Sequence, residues 1–88
     1  MSERTTLLEF PCRFPLKVMG AAGDEFVRAV GVVVQAHAPG FDPASIEQRP
    51  SRAGNYLSLT CTITATSQAQ LDNLYRDLSS HPLVKVVL

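Results

Sequence analysis

From Tyr56 to Thr66 the chain alternates without a break. Leu57, Leu59, Cys61, Ile63 and Ala65 are apolar, and every residue between them, from Tyr56 through Ser58, Thr60, Thr62 and Thr64 to Thr66, carries a hydroxyl. Successive side chains of a strand point to opposite faces, so a period of two predicts a half-buried strand with one core face and one hydroxyl-rich face. Such a strand belongs in a sheet whose helices lie on a single side.

The flanking segments fit that plan. Phe14, Leu16 and Val18 alternate with Pro15, Lys17 and Met19, which predicts a second half-buried strand that Gly20-Ala21-Ala22-Gly23 brings to an end. Asp24 then opens a helix. Phe26, Val27, Val30, Val33, Val34 and His37 recur at helical spacing, with Asp24 and Glu25 in the first turn, where the positive end of the helix dipole favours them. The valine-rich stretch makes a strand the rival reading, but the length, the acidic start and the stop at Ala38-Pro39-Gly40 favour a helix. Ser45 to Arg49 reads as a weak, polar strand that Pro50 confines to an edge, and Ser51 to Asn55 as a hairpin loop in which Gly54 and Asn55 tolerate positive φ. Ser67 and Gln70 form a capping box ahead of Leu71, Leu74, Tyr75 and Leu78. Ser79 to Pro82 stops that helix, and Leu83 to Leu88 is a last strand.

The order strand, helix, strand, strand, helix, strand predicts an α+β fold of the ferredoxin-like βαββαβ type, with two helices on one face of a four-stranded antiparallel sheet. In that topology the first and third strands are central, the fourth pairs with the first, and the second lies outermost. With 88 residues, the chain has room for one such domain, expected over residues 10–88, after a loose arm over residues 1–9.

Charge excludes several classes. Lys plus Arg and Asp plus Glu are both 8, so there is no basic excess to displace counterions from nucleic acid or to hold a membrane surface. The longest uncharged apolar stretch, Ala29 to Phe41, is broken by Gly31 and Pro39 and falls short of the roughly 20 residues that a spanning helix needs. Met1 to Thr6 lacks a signal-peptide pattern, and a cytoplasmic location follows as the expectation. Cys12 and Cys61 are too few for a disulfide framework and read as reduced thiols.

No catalytic constellation is legible. His37 ends the first helix, His81 precedes the last strand, and Cys61 falls on a core face, so neither a nucleophile–base pair nor a metal-ligand spacing emerges. No cofactor is implied. The uncovered sheet face is the surface left to examine: Lys17 and Met19 on the first strand, Thr60, Thr62 and Thr64 on the third, and Lys85 and Val87 on the fourth, with Lys17 and Lys85 side by side. Only Tyr56, at a strand end, could stack a base, so this is not an RNA platform. The glycine loop before the first helix exposes free N–H groups, the feature that attracts anions.

Four strings carry a family resemblance: Leu7-Leu8-Glu9-Phe10-Pro11, Phe14-Pro15-Leu16-Lys17-Val18-Met19-Gly20, Gly54-Asn55-Tyr56, and Val84-Lys85-Val86-Val87-Leu88. Together they resemble the YbeD-like family of small bacterial proteins, from Leu7 to the end of the sequence. The resemblance implies the same ferredoxin-like fold, similar to ACT-type regulatory domains that bind amino acids or other small metabolites between copies, and a link to lipoate metabolism. It transfers no catalytic residue. Lys17, Met19, Gly20, Tyr56 and Lys85 are the candidate ligand or partner surface. The expectation is a non-catalytic regulatory module binding a small metabolite near Met19 to Gly23, for which a pair of copies joined into one continuous sheet through an outer strand would be the discriminating observation; a protein-interaction adaptor without a small ligand is the alternative.

Overall fold

The computed structural model describes residues 9–88. The arm expected over residues 1–9 therefore lies outside the described residues, apart from Glu9. Six main elements follow in the expected order: β1 (Cys12–Ala21), α1 (Asp24–His37), β2 (Glu47–Pro50), β3 (Tyr56–Ala65), α2 (Gln68–Ser79) and β4 (Val84–Val87). A short 3-10 turn, Pro43–Ser45, precedes β2. The four antiparallel strands lie in the order β2-β3-β1-β4.

The sheet's apolar face and the two helices share one core. Leu16 and Val18 of β1, and Leu59, Cys61, Ile63 and Ala65 of β3, are buried against Phe26, Val30 and Val34 of α1 and Leu71, Leu74 and Leu78 of α2. Each fully buried Leu contributes about 1.5–3 kcal/mol relative to exposure, and the alternation that places them is the one read from the sequence. The burial pattern of β3 runs strictly every second residue from Leu57 to Ala65.

Four local expectations need correction. Gly20 and Ala21 do not end the first strand: β1 continues through both, and only Ala22 and Gly23 connect it to α1. Gly20 is buried on the core side, where no side chain would fit. A Cβ at this position would overlap the backbone oxygen of Leu83 and come within 2.6 Å of the Phe26 ring. Its role is a close approach of chains rather than a turn. Next, Val87 lies opposite Val18 and packs on the core side, while Val86 lies opposite Met19 on the open face. Finally, Gly20 pairs with Val84, so Lys85 is the extra residue of a β-bulge. Lys17 instead exchanges both backbone hydrogen bonds with Leu88, so Lys17 and Lys85 do not stand side by side. Alternation alone reads this strand one residue out of phase. In the hairpin, Gly54 has φ of +81°, whereas Asn55 does not take a positive φ.

Substituting Gly20 by Ala tests the close approach. Relief of the overlap requires the backbone at Leu83 to shift, an overpacking cost of about 1–3 kcal/mol. The gain from a stiffer unfolded chain is smaller, about 0.4–1 kcal/mol. Thermal unfolding should show G20A destabilised, with Tm lowered by roughly 5–15 °C. Wild-type stability would refute the packing account.

Candidate functional site

β3 has ten residues and its outer neighbour β2 only four. Their pairing runs from Pro50 opposite Leu57 to Glu47 opposite Thr60 and stops there. Beyond it the chain turns away into the Pro43–Ser45 turn, and a cleft of about 720 Å³ opens along the rest of β3. One wall is the end of α1 with the loop that follows, from Ala36 to Asp42, and Ser45. The other is Thr62, Ile63, Thr64 and Thr66, with Arg13 and Gln70.

The ladder alternation decides what β3 presents to this cleft. Lys17 bonds to Leu88 on the β4 side, so the even-numbered residues of β1 bond to β3. Even-numbered residues of β3 therefore direct their N–H and C=O groups outward, as the Ser51 N–H bond to the Tyr56 carbonyl illustrates. Of these, Ser58 and Thr60 meet β2, whereas Thr62 and Thr64 have no strand beside them among the described residues.

The walls are fixed by short-range bonds. Gln70 works in three directions: its backbone N–H donates to Ser67 Oγ at 3.0 Å, its Oε1 accepts from the Thr66 N–H at 2.7 Å, and its Nε2 donates to the His37 carbonyl at 2.9 Å. The capping box of the sequence is thus half formed. Its return arm reaches Thr66, and the side-chain amide closes the end of α1. His37 Nε2 sits 2.6 Å from Asp77 Oδ2 on α2, a second tie between the helices. Asp42 Oδ1 accepts from the Ala44 N–H at 2.9 Å, and Gln35 Nε2 donates to the Phe41 carbonyl, which fixes the opposite wall. Arg13 Nη1 donates to Thr64 Oγ1 at 3.0 Å, so a guanidinium lies over the open-face side of the strand edge.

The residues singled out from sequence lie elsewhere. Lys17 and Met19 follow each other along the open face; Met19 lies between Ser58 and Val86. Tyr56 is opposite Ala21, diagonally next to Met19 on that face, and 52% exposed. Lys85 stands apart on the bulge, and Gly20 is buried on the other side of the sheet. A smaller depression of about 290 Å³ does include Lys17, with Glu47, Arg49 and Ser58. Arg13 and Gln70 escaped the sequence reading as site residues, whereas Thr62 and Thr64 were read on the uncovered face without their free main-chain edge. The one usable signal was the shortness of the polar second strand, which cannot cover the whole of the third.

Neither thiol joins the cleft chemistry. Cys61 is wholly buried, and desolvation pushes its pKa up to about 11. Cys12 does not line the cleft. His81 is occupied locally, its Nδ1 accepting from the Leu83 N–H at 3.1 Å. No group of three or more metal-ligating side chains occurs among the described residues, nor is any helix there long and apolar enough to cross a membrane.

A family model described as "Protein of unknown function (DUF493)" matches residues 5–88. A UPF0250 protein of Janthinobacterium sp. is 63% identical over 83 residues, covering 94% of this chain and 91% of that one. A UPF0250 protein of Leptothrix cholodnii is 57% identical over the same shares. Among solved structures, HP0495 from H. pylori superposes with a TM-score of 0.75 at 12% identity, over 98% of this chain and 90% of that one. The C-terminal domain of MgtC from Mycobacterium tuberculosis gives 0.71 at 17% identity, over 92% and 87%. Both likenesses concern the fold, and they agree with the ferredoxin-like reading.

Two measurements check this geometry. In hydrogen exchange, the outward amides of Thr62 and Thr64 should exchange markedly faster than those of Cys61 and Ile63, which bond to β1; equal protection would mean the edge is covered. In thiol labelling at pH 8, Cys12 should react in the native state and Cys61 should not, since only about one part in a thousand of Cys61 is thiolate there. Because the folded pKa is the higher one, stability should fall as pH rises from about 9 towards 11, where the unfolded chain ionises first.

Proposed function

This chain belongs to the DUF493 family of proteins of unknown function, and on that footing we propose that it is a non-catalytic regulatory module of the bacterial cytoplasm, working by reversible binding in the cleft beside β3. The observation that carries this reading is the character of the cleft lining. Thr62 and Thr64, whose main-chain groups point outward from β3, line one space together with Thr66, Gln70 and Arg13. A site with a few convergent polar groups in a volume of about 300–1,000 Å³ is the usual form of a ligand pocket. The thiol with the most strongly altered titration, Cys61, points into the core instead.

The cleft lies at the opposite end of the sheet from Met19–Gly23, the place expected from the sequence, and it is the place this reading favours. On the core side of Gly20 the space is filled by Phe26 and Leu83. The resemblance to ACT-type domains supports a small metabolite as the ligand, and the lipoate link of that resemblance sets part of the search. The outward main-chain groups of Thr62 and Thr64 favour a second reading, a protein partner held by its backbone.

Thermal unfolding against amino acids, lipoate, octanoate and nucleotides tests the first reading. A ligand at about 100 times its Kd stabilises by about 2.7 kcal/mol, a rise of roughly 10–20 °C in a domain of this size. Arg13→Ala should at least halve that rise. If no compound shifts Tm, the metabolite reading falls.

A further inference from the structure

We propose that the β3 edge at Thr62–Thr64 is a docking site for an extended peptide segment of alternating apolar and acidic residues, which adds to the sheet as a short strand. This deepens the reading of the cleft as a binding site, and rests on it, by naming the class of partner.

The other edges of the sheet are blunted. On β2, residues 48 and 50 face outward, and Pro50 has no N–H to offer. On β1, the stretch beyond the pairing with Leu88 exposes residues 13 and 15, and Pro15 again lacks the donor. β4 is four residues long and carries the Lys85 bulge. The edge at Thr62 and Thr64 has no such device. It offers two N–H and two C=O groups in strand geometry, and β-branched threonine suits an extended backbone. At its far end the Thr66 N–H is taken by Gln70, which bounds the site.

Shape and charge define the occupant. The edge lies between β3 and the Ala36–Asp42 wall in a cleft of about 720 Å³, a space on the scale of one extended segment. A strand residue paired with Ile63 would face the core side, towards Ala38 and Phe41, both buried and apolar. Residues paired with Thr62 and Thr64 would face the open side, where the Arg13 guanidinium lies. Main-chain bonds then supply affinity, and the alternation of apolar and acidic side chains supplies selectivity.

The probe is a capped peptide, Val-Glu-Val-Glu-Val, titrated into the 15N-labelled full chain. Its central valine would pair with Ile63 and its two glutamates with Thr62 and Thr64. The expected result is a shift and slowed exchange of the Thr62 and Thr64 amides. The same peptide N-methylated at both glutamates, with every side chain kept, should bind about tenfold weaker or worse. Arg13→Ala should weaken the unmodified peptide while leaving the fold intact, since Arg13 is an exposed side chain. The proposal is overturned by no binding at about 1 mM peptide, by shifts confined to another surface, or by equal affinity of the N-methylated peptide. A metabolite that shifts Tm through Arg13 while the peptide fails would overturn the peptide site and leave the regulatory reading standing.

Discussion

Everything in this fold hangs on the ten-residue antiparallel ladder between β1 and β3. It runs without a break from Cys12 opposite Ala65 to Ala21 opposite Tyr56. Because both strands alternate in phase, one face of the pair collects Leu16, Val18, Leu59, Cys61 and Ile63, and that face must be covered. α1 and α2 provide the cover, each with a stripe of three large apolar residues at helical spacing: Phe26, Val30 and Val34, and Leu71, Leu74 and Leu78. The helices are amphipathic because the sheet is one-sided, and neither makes sense without the other.

The outer strands are less than half as long as the central pair, and that mismatch creates the site. β2 covers one end of β3 and β4 one end of β1, which leaves stretches of both central strands with unpaired edges. An exposed strand edge is a template for association, and chains that need only to fold tend to spoil it. Here Pro15 and Pro50 spoil two edges and Lys85 distorts a third. Thr62 and Thr64 leave the fourth intact and line a cleft with it. Prolines thus stand on two of the four edges and not on the edge that lines the cleft.

Patterns that depend on a single chain segment were legible in the sequence. Element order, the two central strands, both helices and the one-sided core follow from the periods of β3, α1 and α2, and the edge position of β2 follows from Pro50. Features that arise where two segments meet were not. The phase of β4 is set by the bulge at Lys85, and a bulge leaves no mark in an alternation of Val84, Lys85, Val86 and Val87 that is apolar on both sides. Gly20 resembled a turn glycine because its neighbours are small, and its real constraint comes from Phe26 and Leu83. The cleft is a difference between two strand lengths, and Arg13, in a proline-flanked lead-in, comes near it only through the long ladder. The resemblance pointed to the correct fold and family, yet none of the described residues in its four strings lines this space.

Preorganisation is what suits the cleft to the binding proposed for it. Its two walls belong to segments far apart in sequence, and Gln70 ties them together through His37 on one side and Thr66 on the other. Asp42 and Gln35 stiffen the loop wall before anything enters. Each such bond adds only about 0.5–1.5 kcal/mol net, but ordering one flexible side chain at an interface costs about the same. A loose cleft would spend most of a ligand's interaction energy on ordering its own walls. With those walls already tied, a short segment or a small molecule needs to supply only its own ordering, so modest contacts with Thr62, Thr64 and Arg13 suffice for reversible binding. Reversibility is what the proposed regulatory role requires, because occupancy would then follow the concentration of the ligand.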